Sequence, residues 1–516
     1  MSSRFSKAGM LALLASVCAF PLHAHAQGKD RADILANESE RMIANSDMAM
    51  TPMAALDPSG ELTALMQMKD GQSVSLMDAL RWSYEHNPTL RAARSELLAT
   101  QERLPQAQAG FKPNAEATAD ATWIDQERDG SDDDAFEKSI GVNASQPIYR
   151  GGRTVSGIGS AKNAIMAQRA FLMASEQDIM LQVVTAYMNA IRDQSLYGLA
   201  VNNRAVIQKQ LDATKARFEV GDVTRTDVSQ SESRLAGAEA NVTGTLGSLR
   251  SSLAVLQRLT GLPPGQLSSP AGVDVSLPDT QNKAEDMAEQ YNPAVIAAEF
   301  LEFSSEQDIS TVFGELLPEV GFLASWNRSY DGLSSDETTT GAIGISATIP
   351  LYEAGATRSR VRAARHASSQ RRIEVTEARR LARQQAVSSW ANLQSAQAEI
   401  VSRKAQVEAA RIARDGVYKE AELGTRTILD SLDADQELLD AESALVTAQR
   451  NDVVARFTLA STVGLMTPDG LGFPELKRDY NAHIDEITGK VFSTRTAFGE
   501  DLVEGSDGAR AGSAQQ

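Results

Sequence analysis

The chain has 516 residues, which is long for one compact domain. Its 50 Lys and Arg against 68 Asp and Glu give a formal charge of −18, which argues against nucleic acid as a partner. Only 5% of the residues are aromatic, which favours helices packed on alanine and leucine over a large globular core.

Residues 1–26 have the pattern of a secretory signal peptide. Basic residues precede the short apolar run 10–22, and residues 24–26 (Ala-His-Ala) form a small-x-small cleavage signal. The one cysteine, Cys18, lies inside this segment, so we expect a mature chain without thiols or disulfides. No later stretch approaches 18 apolar residues, which leaves two alternatives for an exported chain: a soluble protein or an outer-membrane β-barrel.

The first repeated unit is predicted to span residues 74–265, after a polar leader over 27–73. Helical periodicity runs to Pro113 and is then replaced by alternation with a period of two. The alternation predicts a β-hairpin at about 114–146, with a long acidic loop over 126–137. A hairpin in a soluble sheet is the alternative interpretation of this segment alone.

A very long helix is predicted to follow this hairpin. Residues 152–221 contain no proline, which allows about 100 Å of helix at 1.5 Å per residue. Apolar residues repeat every seven positions in two rows on nearly opposite sides, beginning at Ile158 and Ala167. A helix with two such rows can contact a neighbour on each side, as in a palisade or a tube. A return helix ends at the Gly-Leu-Pro-Pro-Gly stretch 261–265.

The plan then recurs at an offset of 203–205 residues, which indicates an internal duplication. After a linker over 266–284, the second unit spans 285–467 and carries a β-hairpin at about 319–349. Trp326 corresponds to Trp123 at the offset of 203. Residues 468–516 are interpreted as a polar C-terminal tail.

Each long helical hairpin turns at a similar tip, near 221–227 in the first unit and near 424–433 in the second. Both tips contain glycine, then a threonine and arginine step, then aspartate. Glycine adopts positive φ without steric cost, so Gly221 and Gly424 are predicted to make the reversals.

The duplicated plan, the strand ends at 146–149 (Gln-Pro-Ile-Tyr) and 349–352 (Ile-Pro-Leu-Tyr), and the two tips resemble the TolC family of outer-membrane efflux and type I secretion ducts. The resemblance implies a membrane α/β protein: a trimeric 12-stranded outer-membrane β-barrel, four strands per chain, continued by a long periplasmic α-helical barrel. It also implies contact with outer-membrane lipid, a periplasmic adaptor protein and an inner-membrane transporter. Such a channel exports small molecules, proteins or both; the sequence does not identify the cargo.

The resemblance further implies a gate at the tips. Asp430 and Asp433 match aspartates whose three-fold copies form acidic rings at the entrance, where multivalent cations would block the channel. Arg426 matches the arginine that ties neighbouring hairpins shut, and its partners on the first hairpin match Thr226 and Asp227.

One gate position departs from the family pattern. The family's gating tyrosine, three residues before the tip glycine, falls here on Ala421, and Arg225 is a candidate for a replacement constraint. The alternative interpretation is that Arg426 and the aspartates are ordinary surface charges near a helix end.

The sequence shows no catalytic, cofactor-binding or metal-binding constellation. The histidines outside the signal region, His86, His366 and His483, are isolated from one another. We therefore predict a transport protein and not an enzyme. A soluble periplasmic coiled-coil adaptor or structural protein remains the competing hypothesis, and an exported hydrolase is a third.

Overall fold

The computed structural model describes residues 74–128, 131–261, 267–268, 275–331 and 336–488. The predicted signal peptide and the predicted leader lie outside these residues, as does the predicted tail from residue 489 onward. The described part is mostly helical and contains a four-stranded sheet. None of the helices in the described ranges combines the length and the apolarity that a membrane span requires.

The same order of elements occurs twice along the described chain, except that the first set contains one additional short helix, the third of that set. The first set is α1 (Leu76–His86), α2 (Pro88–Gln101), α3 (Arg103–Gln108), β1 (Asn114–Arg128), β2 (Ser131–Arg150), α4 (Arg153–Glu219) and α5 (Arg225–Thr260). The second set is α6 (Gln281–Tyr291), α7 (Pro293–Phe313), β3 (Glu319–Tyr330), β4 (Glu337–Thr348), α8 (Ala356–Glu422) and α9 (Ile428–Thr462). A short helix, α10 (Asn481–Thr488), follows them.

An Asn-Pro step breaks the short helices at the same place in both sets. Asn87 and Asn292 cap the helices that begin at the next proline, and each side-chain oxygen accepts a backbone N–H at 2.9 Å. Their amide nitrogens donate to Leu259 (2.9 Å) and Thr462 (3.0 Å) at the ends of α5 and α9. Each break is therefore fastened to the end of a return helix.

The long helices α4 and α8 have 67 residues each, about 100 Å at 1.5 Å per residue. Helix α4 contacts α5, α7 and α9 as well as the short helices α1 to α3. It buries members of both predicted heptad rows, Ile165 and Leu172 in one and Ala167 and Met188 in the other. Burial on two sides explains why the helix needs two apolar rows.

The four predicted strands form one antiparallel sheet in the order β1-β2-β3-β4. Strand β1 continues to Arg128 and β2 begins at Ser131, so the loop predicted over 126–137 is too long. The two strands stay paired by backbone hydrogen bonds as far as Arg128 and Ser131. The sequence of this stretch is acidic and lacks apolar alternation, so its pattern does not indicate strands. All twelve residues of β4 are exposed in the single chain.

Two predicted boundaries differ from the structure. Helix α6 begins at Gln281, inside the predicted linker 266–284, because Thr280 caps its first turn. The first part of the predicted tail, residues 468–488, is also structured. It packs on the helices through Tyr480 and Ile484, which contact an apolar cluster: Leu97, Leu104, Ile165 and Leu172. A few apolar residues at helical spacing give this segment a packing face despite its polar composition.

Candidate functional site at the tips of the helical hairpins

The two tips share one turn geometry. Gly221 has φ 82° and Gly424 has φ 74°, in the left-handed region that favours glycine. The glycine N–H donates to the carbonyl three residues earlier, at 3.0 Å and 3.1 Å respectively. The following N–H donates to the carbonyl five residues earlier, at 3.0 Å in both tips. This hydrogen-bond pair is a Schellman motif, which ends the incoming helix.

A capping box starts each return helix three residues after the glycine. The Asp227 carboxylate accepts from the backbone N–H (2.8 Å) and hydroxyl (2.7 Å) of Thr224. The Asp430 carboxylate accepts from the same two groups of Thr427, both at 2.9 Å. These hydrogen bonds lower the pKa of both carboxyls: the hydroxyl has the largest effect on Asp227, and the backbone N–H has the largest effect on Asp430. Both carboxylates therefore cap a helix, a role that the resemblance does not predict.

Arg426 bonds within its own hairpin. Its Nε donates to the Glu420 carboxylate at 3.0 Å, and both side chains are about half exposed. Thr226 and Asp227, its predicted partners, make no hydrogen bond or ion pair with Arg426 within the described part of one chain. The side chains of Arg225 and Thr226 are exposed at the start of α5.

Asp433 connects the two hairpins. The Arg234 guanidinium on α5 donates to the Asp433 carboxylate on α9 at 2.6 Å. The pair lies beside a small apolar cluster between the same hairpins: Ile207, Ala238, Leu432, Leu235 and Ile428. Sequence reasoning missed Arg234 because the two partners are 199 residues apart and only the folded chain brings them together.

A tyrosine joins the two helices of the second hairpin. It lies one helical turn before Ala421, the position that corresponds to the family's gating tyrosine. Tyr418 donates its hydroxyl to the Asp435 carboxylate at 2.5 Å, and the Arg414 guanidinium lies 5.8 Å from the ring centre. Burial raises the pKa of the Asp435 carboxyl. This contact could have been suspected from the sequence. Tyr418 lies three residues before Ala421, and residues at that spacing share one side of a helix.

The tips bring together polar pairs and not a metal centre. Among the residues that the structure describes, no group of three or more His, Cys, Asp or Glu side chains could hold a metal ion. In the described part of the chain, the tips include two glycine turns, two capping boxes and the pairs Arg234–Asp433, Arg426–Glu420 and Tyr418–Asp435.

A family model described as outer membrane efflux protein matches residues 81–262 and 285–465, which together exceed half of the chain. The chain belongs to this family. The chain is 29% identical over 429 residues to Outer membrane efflux protein BepC of Brucella suis. The match covers 83% of this chain and 93% of BepC. The chain is 24% identical over 415 residues to TolC of Escherichia coli, covering 78% of this chain and 84% of TolC. Alkaline protease secretion protein AprF of Pseudomonas aeruginosa is 22% identical over 418 residues, covering 78% and 87%.

Solved channel structures show the same fold. CusC superposes with a TM-score of 0.68 at 16% identity, covering 77% of this efflux protein and 96% of CusC. The Campylobacter jejuni CmeC outer membrane channel superposes with a TM-score of 0.67 at 14% identity, covering 83% and 95%. The protein is an export channel of the outer membrane, in the class that includes efflux and type I secretion ducts. This family consists of channels and not enzymes, so the soluble adaptor and hydrolase hypotheses are wrong.

Proposed function

We propose that three copies of this chain form a channel-tunnel that spans the outer membrane and the periplasm. The four strands of each chain contribute to a 12-stranded barrel, and the long helices continue it as a helical barrel. The tips gate the periplasmic end, where a periplasmic adaptor and an inner-membrane transporter deliver cargo. An internal duplication provides two similar hairpins per chain. The family model matches the chain twice, over residues 81–262 and 285–465, which supports the duplication.

The exposed apolar surface of the single chain supports this assembly. Helix α8 leaves Ile373, Leu381, Val401 and Ile412 half exposed or more, which suits contact with a second copy. On the sheet, Trp123 and Trp326 are exposed on the apolar face, which suits outer-membrane lipid. Four strands cannot close a barrel alone, because the smallest membrane barrels have about eight.

The Arg234–Asp433 pair is the observation that carries the gate. It ties the first hairpin to the second close to the tip, where Asp433 follows Arg426 and Asp430 in the sequence. In the assembled trimer, Arg426 reaches a neighbouring hairpin at Thr226 and Asp227, and Arg225 lies beside them. Asp430 and Asp433 then provide acidic rings that multivalent cations occupy.

The cargo class follows from the partner and not from the channel. One relative is named for efflux and another for protease secretion, which supports the idea that the fold alone does not fix the cargo. We propose that the inner-membrane transporter selects the cargo of this chain as well.

Single-channel conductance in a planar bilayer tests the gate. Exposed ion pairs contribute about 0.5 kcal/mol each, so losing three symmetric copies shifts the open–closed equilibrium about tenfold. Arg426→Ser and Arg234→Ala are each expected to raise conductance. Arg411→Ser is the matched control, because Arg411 is equally exposed on α8 and pairs with Glu442 at 3.3 Å, away from the tip. Unchanged conductance in both gate variants would show that Arg426 and Arg234 are ordinary surface charges.

A further inference from the structure

Two basic side chains lie on the apolar face of the sheet, on its central strands β2 and β3. Residues two apart along a strand share a face, so Lys138 and Ile140 lie on the same side of β2. The pairing of β2 with β3 sets Lys138 opposite Tyr330 and Ile140 opposite Arg328. Lys138 and Arg328 are therefore diagonal neighbours, about 7 Å apart at Cβ, and one ligand can contact both.

Aromatic side chains surround the two basic groups. Tyr330, directly opposite Lys138, is 38% exposed. The Nζ atom of Lys138 lies 5.4 Å from the ring centre of Phe136, and that ring centre is 6.3 Å from the ring centre of Trp123. Trp326 lies two residues from the arginine along β3. Tyrosine and tryptophan concentrate where a bilayer meets water, so this composition is typical of a membrane edge.

The basic and aromatic cluster lies at one end of an apolar band. Arg328 and Val320 are eight positions apart, which is about 27 Å along β3 at 3.4 Å per residue. A tilt of about 40° turns this length into about 20 Å of membrane depth, close to the height of the apolar band of a membrane barrel. The hairpin turns lie beyond the cluster, and the helices begin at the other end of the strands. The face carries mostly apolar side chains within the band: Val142, Trp326, Ala324, Phe322, Ile343 and Ile345.

The cluster has a net positive charge and hydrogen-bond donors that a ligand can use. The Nη2 atom of Arg328 donates to both carboxylate oxygens of Glu337, at 2.9 Å and 2.8 Å. A guanidinium has five N–H donors, so Arg328 can bind a second acceptor. Within the described residues, Lys138 makes no ion pair. Two cations and one carboxylate therefore leave one positive charge at the edge of an apolar face.

We propose that Lys138, Arg328 and Tyr330 bind the phosphate of a phosphorylated glycolipid in the outer leaflet of the outer membrane. This inference rests on the proposed channel, in which the helices lie in the periplasm and the hairpin turns face outward. The guanidinium and the ammonium pair with the phosphate, and the tyrosine hydroxyl donates to it. The aromatic rings pack on the sugar and the acyl chains. All three side chains belong to one chain, so each copy carries a complete site.

The alternative for these long side chains is that they extend to water. Lys and Arg at a membrane edge can reach past the acyl chains without binding any particular lipid. That alternative predicts equal binding of a lipid with and without its phosphates. A phosphate site predicts that the phosphorylated lipid binds more tightly and that the difference depends on the two basic residues.

Binding of defined lipids to the purified protein in neutral detergent distinguishes the two. The probes are bisphosphorylated lipid A, the same lipid without its phosphates, and inorganic phosphate, and native mass spectrometry counts the bound molecules. One basic residue near an anionic headgroup strengthens binding about fivefold. We therefore expect Lys138→Gln with Arg328→Gln to bind the phosphorylated lipid about 25-fold more weakly and the dephosphorylated lipid with unchanged affinity.

Two further variants complete the test. Lys404→Gln with Arg411→Gln is the matched control, because it removes the same charge from exposed positions on α8, away from the sheet. Glu337→Gln gives a change of the opposite sign, because it removes the carboxylate that competes for Arg328. We expect it to bind the phosphorylated lipid about fivefold more tightly. A misfolded sheet could not bind more tightly, so this variant covers poor folding of the double variant.

Equal affinity of the double variant and the unaltered protein for the phosphorylated lipid would overturn the phosphate site. Two other results would do the same: equal affinity of the unaltered protein for the lipid with and without phosphates, and displacement of the lipid by an equal concentration of inorganic phosphate. Each of these results leaves the channel intact when the same preparations conduct normally in a bilayer. A monomer mass without conductance in the unaltered protein overturns the proposed channel, and the phosphate site with it.

Discussion

Asp430 combines two functions that a simple substitution would confuse. Its carboxylate closes a capping box with Thr427, and its charge contributes to the proposed acidic ring. An Asp430→Ala variant removes the charge and weakens the helix start together. Separating the two requires one variant that keeps the cap and another that keeps the charge.

Asp430→Asn is expected to weaken block by multivalent cations, and Asp430→Asn together with Asp433→Asn is expected to abolish it. The tip should keep its fold in Asp430→Asn, because the amide oxygen still accepts from the Thr427 N–H. Thr427→Ala is expected to cost about 1 kcal/mol of helix stability through loss of the cap. It should leave cation block in place, because the charge remains. Block is measured as the concentration of trivalent cation that halves conductance. Persistent block in Asp430→Asn together with Asp433→Asn would remove the aspartates from the cation site.

The hydrogen bonds to Asp430 also set the pH at which the cap fails. They hold the pKa of this carboxyl below its usual value near 3.8. The cap is therefore fully present above that unfolded value and is lost as the pH falls through the lowered folded pKa. We expect the tip to loosen only in strongly acidic solution, and Asp430→Asn to flatten this part of the pH dependence of thermal stability.

The residues of the tip could be predicted from sequence better than their partners. Glycine, threonine and aspartate follow local rules for ending and starting helices, and these rules act over six residues. Arg234 and Asp433 are far apart in sequence, so their pairing depends on how the two hairpins pack. The Glu420 partner of Arg426 is local, but several acidic residues within reach made the choice undecidable from sequence.

At the scale of elements, periodicity predicted the strands and the long helices because each extends over many repeats of one pattern. Two apolar rows along α4 and the alternation in β3 and β4 persist long enough to outweigh local exceptions such as Leu323 in β3. Short elements such as α6 and α10 provide two or three turns at most. Their boundaries depend on a capping residue or on a few buried side chains, which composition does not reveal.

Gly424→Val tests the second tip as an element. A β-branched residue at φ 74° costs about 2 kcal/mol, although no atom lies within 4 Å of an added Cβ, so the cost is backbone strain alone. We expect reduced export with normal outer-membrane localisation, because the sheet is distant in sequence from the turn. Export is measured as drug accumulation or secreted protein in a strain that depends on this channel.

Gly416→Val is the matched control for this change. Gly416 lies in α8 of the same hairpin, with equally open space around an added Cβ and no positive φ. Valine is tolerated there because its helix propensity is no worse than that of glycine. Equal export by the two variants would show that tip geometry does not matter for delivery of cargo.

At the scale of the whole molecule, the segment 468–488 joins helices that are distant in sequence. Gln101 on α2 donates to the Tyr480 carbonyl at 2.9 Å, and Arg169 on α4 donates to Asn481 at 2.7 Å. Arg81 on α1 pairs with Glu475 at 2.5 Å. The segment therefore fastens the short first-set helices to the long helix alongside them.

This role predicts that the chain needs the segment for stability. A chain ending at Thr488 is the reference, and a chain ending at Gly472 removes Tyr480, Ile484 and the buried Ile487. Fully buried isoleucines contribute about 1.5–3 kcal/mol each, so partial burial gives an expected loss of about 3 kcal/mol. The shorter chain should unfold at lower temperature and bind a hydrophobic dye at the exposed cluster of Leu97, Leu104, Ile165 and Leu172. Equal unfolding temperatures for the two chains would show that the segment rests on the helices without stabilising them.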